Sequence, residues 1–349
     1  MAGSHWLQSL GVELPVVQAP LAGSQDEVLA SAVAAAGGLG SIPCSMLTPA
    51  GVVEQVTRYR QRTQAPLNLN FVCHQRPPAS TEALAQWRAR LESYYRELGV
   101  ADAPPAARPR EPFDAAMCEV VEQLRPTVVS FHFGLPAAEL VTRVRATGAV
   151  VLSTATTVAE ARALEAGGVH AVIAQGMEAG GHRGTFLHGV KDDPELGLFA
   201  LLPQVVDAVR VPVIAAGGIA DARGVAAARA LGASAVLVGT AYLRCAESRA
   251  TAPHRRALAQ ATDDATRVTN VFTGRRARGL VNRALRELGP ISDLAPPFPL
   301  AVFGLAPLRE RAESTGSGDF SPLWAGQAAA LSKLTDAGEL TRLLGSGWR

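Results

Sequence analysis

Eight short runs of apolar, largely β-branched residues, at 15–18, 38–42, 67–71, 127–131, 150–153, 171–175, 211–215 and 235–238, alternate with Ala-rich segments of helical period. Helices are expected at 26–36, 49–60, 80–97 with 113–124, 136–146, 157–166, 200–209 and 221–230. Most of the runs are apolar on both faces, as strands are when helices cover both sides of a parallel sheet. Eight such strands between residues 15 and 238 fit an α/β fold of the (β/α)8 TIM-barrel kind. A doubly wound open sheet is the alternative that the pattern leaves. AAAGGLGSI at 34–42, EAGGVHAVI at 165–173 and RALGASAVLV at 229–238 each close a helix with glycine and launch a strand. They are linked βα units.

Two segments break the rhythm. Residues 99–112, GVADAPPAARPREP, lengthen the third crossover. After the eighth strand, RRALAQAT, ARGLVNRALREL and SPLWAGQAAALSKL are expected as helices, with the turn-rich PISDLAPPFPLAVFG between them. This divides the chain into a barrel over 1–246 and a helical C-terminal segment over 247–349 packed on it.

The formal charge of +2 and the lack of a basic block with interleaved aromatics argue against nucleic acid. The cysteines, Cys44, Cys73, Cys118 and Cys245, form no CxxC pair, so zinc and iron–sulfur ligation lose support and a reducing, cytoplasmic setting is expected. The first residues carry no basic and apolar leader pattern, and no apolar run reaches membrane-spanning length.

In a barrel, chemistry is carried where the strands end, because the βα loops converge there. Gln18 ends the first strand, Asn68 and Asn70 lie in the third, His132 ends the fourth, and Gln175 ends the sixth with His182 in the loop beyond. Gly217, Gly218, Gly239 and Thr240 end the last two strands, where small residues let backbone N–H groups approach an anion such as a phosphate. The plainer reading of these glycines is a tight turn. His132, between two phenylalanines in FHFG, is either a satisfied core histidine or a site residue. His182, among the glycines of EAGGHRG, is the stronger candidate to move a proton or to place a donor beside an anion. Its neighbour Arg183 either attracts an anion or faces solvent. Asp192, Asp193 and Glu195 lie in KDDPELG, which suggests a solvent-facing turn more than a metal site. GGLGSIP precedes a strand where a dinucleotide fingerprint would follow one, and neither a P-loop, an HExxH nor a GxSxG elbow is present.

Taken in order, VVQAPLAG at 16–23, NLNFVCH at 68–74, VVSFHFG at 128–134, AVIAQGMEAGGHRGTF at 171–186, VPVIAAGGIAD at 211–221, VLVGTAYLRCAES at 236–248, VTNVFTGRRARGLVNR at 268–283 and WAGQAA at 324–329 resemble the nitronate monooxygenase family. The resemblance implies an FMN-dependent barrel enzyme that oxidises alkyl nitronates, or nitroalkanes, with O2 to a carbonyl compound and nitrite. It implies that Ala19, Pro20, Asn70, Gln175 and Gly180 lie along the flavin, and that Gly217, Gly218, Gly239 and Thr240 take its phosphate. His182 is then the catalytic base and His132 a second catalytic-site histidine. No metal is implied, and a monomer or homodimer is expected. Leu21 stands where the family commonly has methionine, which removes a polarizable sulfur beside the ring. An NAD(P)H-dependent quinone or enoyl reductase of the same barrel type and a non-catalytic phosphate-binding barrel are the competing functions.

Overall fold

Strands that are apolar on both faces have to be covered on both faces, and the eight runs meet that requirement as one parallel sheet. They become β1 Val16–Gln18, β2 Gly40–Pro43, β3 Leu67–Val72, β4 Val128–His132, β5 Val150–Ala155 and β6 Ala171–Gln175. A two-residue strand outside that sheet, β7 Gly181–His182, precedes the last two, β8 Val213–Ala216 and β9 Ala235–Val238. The computed structural model describes residues 5–78, 80–101, 110–187 and 193–349. Most of the 99–112 stretch, and Asp192, lie outside the described residues.

The sheet runs β1-β9-β8-β6-β5-β4-β3-β2, and a parallel bridge from Val17 to Leu39 closes it into a barrel. Two bonds carry the closure: Leu39 N–H donates to Val16 O and Gln18 N–H to Leu39 O, each 2.9 Å. The expected strands are all present, with ends shifted by a residue or two. Side chains such as Val17, Leu39, Val128, Leu152, Ile173 and Ile214 fill the barrel interior, and Leu7 of the N-terminal helix His5–Ser9 packs with them. The opposite faces pack against the helices in one continuous core. Side-chain caps start most of these helices: Asp26, Thr48, Asp114, Thr157 and Asp221 each accept a backbone N–H of the first turn.

The C-terminal segment contains helices, Ala252–Ala259, Val302–Ser314 and Ala337–Ser346 among them, and a hairpin that the sequence pattern did not reveal. Strands β10 Thr266–Thr269 and β11 Ala277–Leu280 pair antiparallel, and β11 pairs in turn with β7. ARGL, expected to open a helix, is therefore strand. Its local propensity is overruled by cross-strand partners far away in sequence. SPLWAGQAAALSKL holds only a 3-10 turn, Gln327–Leu331. Conversely PLAVFG enters the helix Val302–Ser314, whose Leu305 and Leu308 pack with Trp87 and Leu91 of the third-crossover helix Thr81–Leu98. Trp87 Nε1 donates to Ala301 O at 3.1 Å and Tyr95 OH to Gly304 O at 2.8 Å, tying the crossover to the C-terminal segment.

Candidate active site

The C-terminal ends of the strands surround one cavity. Ala19, Pro20, Asn70, His132, Gln175, Gly180, His182, Gly217, Gly218, Gly239 and Thr240 all line it. In the closed ring β8 stands opposite β3 and β9 opposite β4, so the small-residue loops face Asn70 and His132 across the mouth. Ile173, Ala216 and Leu237 also line the cavity and give it an apolar part.

Below the mouth, polar residues of the first three strands and Gln25 bond to one another, leaving Asn68 Oδ1 without a partner among the described residues. Gln18 Oε1 accepts from Ser41 N at 3.0 Å, Gln18 Nε2 donates to Gln25 Oε1 at 2.7 Å, and Asn68 Nδ2 donates to Ser41 Oγ at 2.9 Å. Asn70, one pleat further up, donates from Nδ2 to Ser130 Oγ at 3.0 Å. Asn68 is thus part of the barrel interior and Asn70 part of the cavity wall.

His182 is held, not loose. As part of β7 it pairs with Ala277 of β11, and Gln175 Nε2 donates to its carbonyl at 3.0 Å. His132 Nε2 reaches the same carbonyl at 3.1 Å, while His132 Nδ1 lies 3.1 Å from Thr154 Oγ1. The adjoining glycines permit close packing: a Cβ on Gly184 would stand 2.7 Å from Thr154 Cγ2, and one on Gly180 would stand 2.5 Å from Gly326 N. The His182 ring sits among Phe133, Phe298 and Trp324, with centroids at 6.1, 5.3 and 5.4 Å. Its Nε2 meets Thr273 Oγ1 at 2.9 Å, and the Thr273 hydroxyl in turn donates to Arg275 O at 3.4 Å. That chain assigns the imidazole proton to Nε2 and leaves the Nδ1 lone pair without a partner among the described residues. Burial, then the nearby charge of Arg110, holds the His182 imidazole well below its ordinary range. Burial likewise pushes His132 down to about 4. Both rings are neutral near pH 7.

Arg183 takes neither expected part. It is buried and pairs with Asp193, Nε to Oδ2 at 2.9 Å, and its Nη1 donates to Gln175 O at 2.5 Å. The loop around Asp193 is therefore not simply a solvent-facing turn. Burial works to raise the Asp193 carboxyl, and the Arg183 guanidinium outweighs it, leaving the group below the usual carboxylate range. Among the described residues no cluster of His, Cys, Asp and Glu is placed to hold a metal, and no helix is long and apolar enough to cross a membrane. The four cysteines are unpaired.

Sequence reasoning missed the walls supplied by Arg110, Phe133, Trp324 and Gly326. Trp324 and Gly326 come from the C-terminal segment, where Thr240 Oγ1 accepts from Gly326 N at 2.9 Å and His254 Nε2 meets Trp324 O at 3.1 Å. The expectation of a C-terminal segment packed on the barrel and the match of WAGQAA to a family motif pointed to this region without naming these residues.

A family model described as nitronate monooxygenase matches residues 4–346. The chain is similar to a nitronate monooxygenase from Paraburkholderia phytofirmans, 39% identical over 345 residues, 97% of this chain and 93% of that one. It is equally similar to one from Pseudomonas aeruginosa, 39% identical over 341 residues and 96% of each chain. The solved structure of a nitroalkane oxidase from Streptomyces ansochromogenes superimposes with a TM-score of 0.90 at 40% identity, covering 98% of this chain and 97% of that one. With the match running through barrel and C-terminal segment alike, the chain belongs to the nitronate monooxygenase family.

Proposed function

We propose that the cavity binds FMN and that the chain oxidises alkyl nitronates, or the parent nitroalkanes, with O2 to a carbonyl compound and nitrite. As a member of its family it is a flavin-dependent oxidoreductase. The observation that carries the finer reading is one mouth shared by the glycine-bearing loops after β8 and β9, by His132 opposite them, and by His182 from the neighbouring loop after β6.

The residues present fit FMN. Gly217 and Gly218 have φ of +112° and +70°, a conformation that opens the backbone and that side chains resist. A Cβ at Gly217 would stand 3.1 Å from Ala179 N, and one at Gly239 would stand 3.3 Å from Ala19 Cβ. These loops, with Thr240, would hold a terminal phosphate. Ala19 and Pro20 would lie along a flat ring, with Asn70, Gln175 and Gly180 near its polar edges and ribityl chain. When bound, FMN supplies the electron acceptor that O2 later reoxidises.

The protein's part is binding, orientation and proton handling. His182 Nδ1 accepts the α-proton of a neutral nitroalkane. A nitronate arrives without that proton, and the imidazole then orients it. His132, bonded to the His182 carbonyl, keeps the catalytic strand in place at the cavity wall. Phe133 and Trp324 exclude water from the reacting end. Both the barrel, 1–246, and the segment 247–349 are needed, and the unpaired cysteines suit a reducing cytoplasm.

The test is to release the cofactor from pure protein with acid, identify it, and assay O2-dependent nitrite formation from ethylnitronate. Stoichiometric FMN and nitrite are expected. FAD, or flavin-loaded protein inert to nitronates, would overturn the reading.

A further inference from the structure

Of the described residues that line the cavity, Arg110 is the single one that carries a full charge, histidines aside. It belongs to the crossover after β3. It therefore stands on the β3–β4 side, across the ring from the glycine loops after β8 and β9, and is not placed to serve a phosphate held there.

Its guanidinium has no carboxylate partner among the described residues. The one hydrogen-bond contact there runs from Nη2 to the Met46 sulfur at 3.9 Å, and sulfur is a weak acceptor. Burial, with Arg309 adding to it, lowers Arg110 to about 10, so the positive form lacks the anion that would stabilise it. The other cation whose field reaches both His182 and His132 is already engaged: Arg275 lies over the Phe133 ring at 4.0 Å and donates to Thr185 O. The field of Arg110 reaches both His182 and His132, so its charge lies near the imidazole proposed to meet the substrate and the one that positions it. No Asp or Glu among the described residues lines the cavity to cancel it.

We propose that Arg110 binds the two nitronate oxygens and sets the preference of this enzyme for the anionic nitronate over the neutral nitroalkane with the same carbon skeleton. The inference rests on the nitronate-oxidising reading above. A guanidinium presents parallel N–H donors that match two oxygens on one planar centre. A neutral nitro group offers the same shape with less negative charge. With the oxygens engaged by Arg110, the carbon is left to His182.

The test uses flavin-loaded parent, Arg110→Gln and Arg110→Lys, with ethylnitronate and nitroethane assayed before the two interconvert. In Arg110→Gln the KM for ethylnitronate should rise about ten- to hundredfold, the range for losing hydrogen bonds to a charged group. Its kcat/KM for nitroethane should fall several-fold less, and Arg110→Lys should recover part of the nitronate loss. Added salt should weaken nitronate use more in the parent than in Arg110→Gln. FMN content reports folding independently. An unchanged nitronate KM in flavin-loaded Arg110→Gln, or equal losses on both substrates, would overturn the inference while leaving the function intact. A parent that fails to turn over ethylnitronate would overturn the functional reading and this inference with it.

Discussion

At the scale of single residues, the two histidines have different surroundings despite lying in one cavity. His132 spends both ring nitrogens within the protein, on Thr154 and on the His182 carbonyl, whereas His182 leaves Nδ1 without a protein partner among the described residues. His182→Ala should lower nitroethane turnover by about 10²- to 10⁴-fold, the usual range for a positioned proton-transfer group, with much less effect on ethylnitronate. Flavin content and melting should stay near the parent's. Equal, unimpaired rates on both substrates would leave His182 without a catalytic task. Because burial depresses its pKa, the protonation that silences it lies below 6.5, so kcat/KM for nitroethane should stay level as pH falls through that value. Which residues sit at strand ends was legible in the sequence, since strand ends follow from the apolar pattern. The environment of Arg183 was not: its partner Asp193 lies ten positions on, within a stretch that looked like an exposed turn.

At the scale of elements, the strand β7 that carries His182 is too short to stand alone. It is fixed by β11 on one side and by the Arg183–Asp193 pair just beyond it. Arg183→Met would leave Asp193 buried and unpaired, a change that costs about 3–5 kcal/mol in comparable sites. A clear drop in Tm is expected, with much of it restored in Arg183→Met/Asp193→Leu; an unchanged Tm for the single variant would show the pair to be dispensable. The loop after β8 gives a second test. Gly218→Val puts a branched side chain at φ +70°, about 1–3 kcal/mol of strain, with its Cβ 3.3 Å from Glu178 Cβ. FMN per chain after gel filtration should fall far more than the melting temperature of the flavin-free protein. A valine variant that keeps FMN as tightly as the parent would contradict the phosphate assignment. The β10–β11 hairpin escaped sequence reading for a physical reason. TRVT and ARGL are short and each carries an Arg, and Arg278 is held by groups outside its own strand, Met177 O at 3.0 Å and Thr266 Oγ1 at 3.1 Å.

At the scale of the whole molecule, barrel and C-terminal segment share one site and one set of buried histidines. His74, His132 and His254 are each pushed down to about 4, burial being the largest cause. An unfolded chain binds protons at these positions near 6.5, and the folded chain does so only near 4. The neutral histidines therefore contribute stability that is fully present above pH 6.5 and is lost as pH falls toward 4. Denaturant midpoints should decline between pH 7 and 5, before the carboxylates titrate, and a flat midpoint there would contradict the burial of these rings. The barrel was legible because eight two-sided apolar strands admit few arrangements. Which C-terminal residues cover its mouth was not, because Trp324 and Gly326 reach the cavity through contacts with Gly180, Thr240 and His254 rather than through any local pattern. A nitronate oxidase and a flavin reductase of the same barrel type differ in which substrate reduces the flavin. The direct measurement is the visible absorbance of the pure flavin-loaded protein, mixed without oxygen with ethylnitronate in one sample and NADH or NADPH in another. Rapid bleaching by ethylnitronate, with little change from either nicotinamide, is the expected result; rapid bleaching by a nicotinamide and none by the nitronate would contradict it.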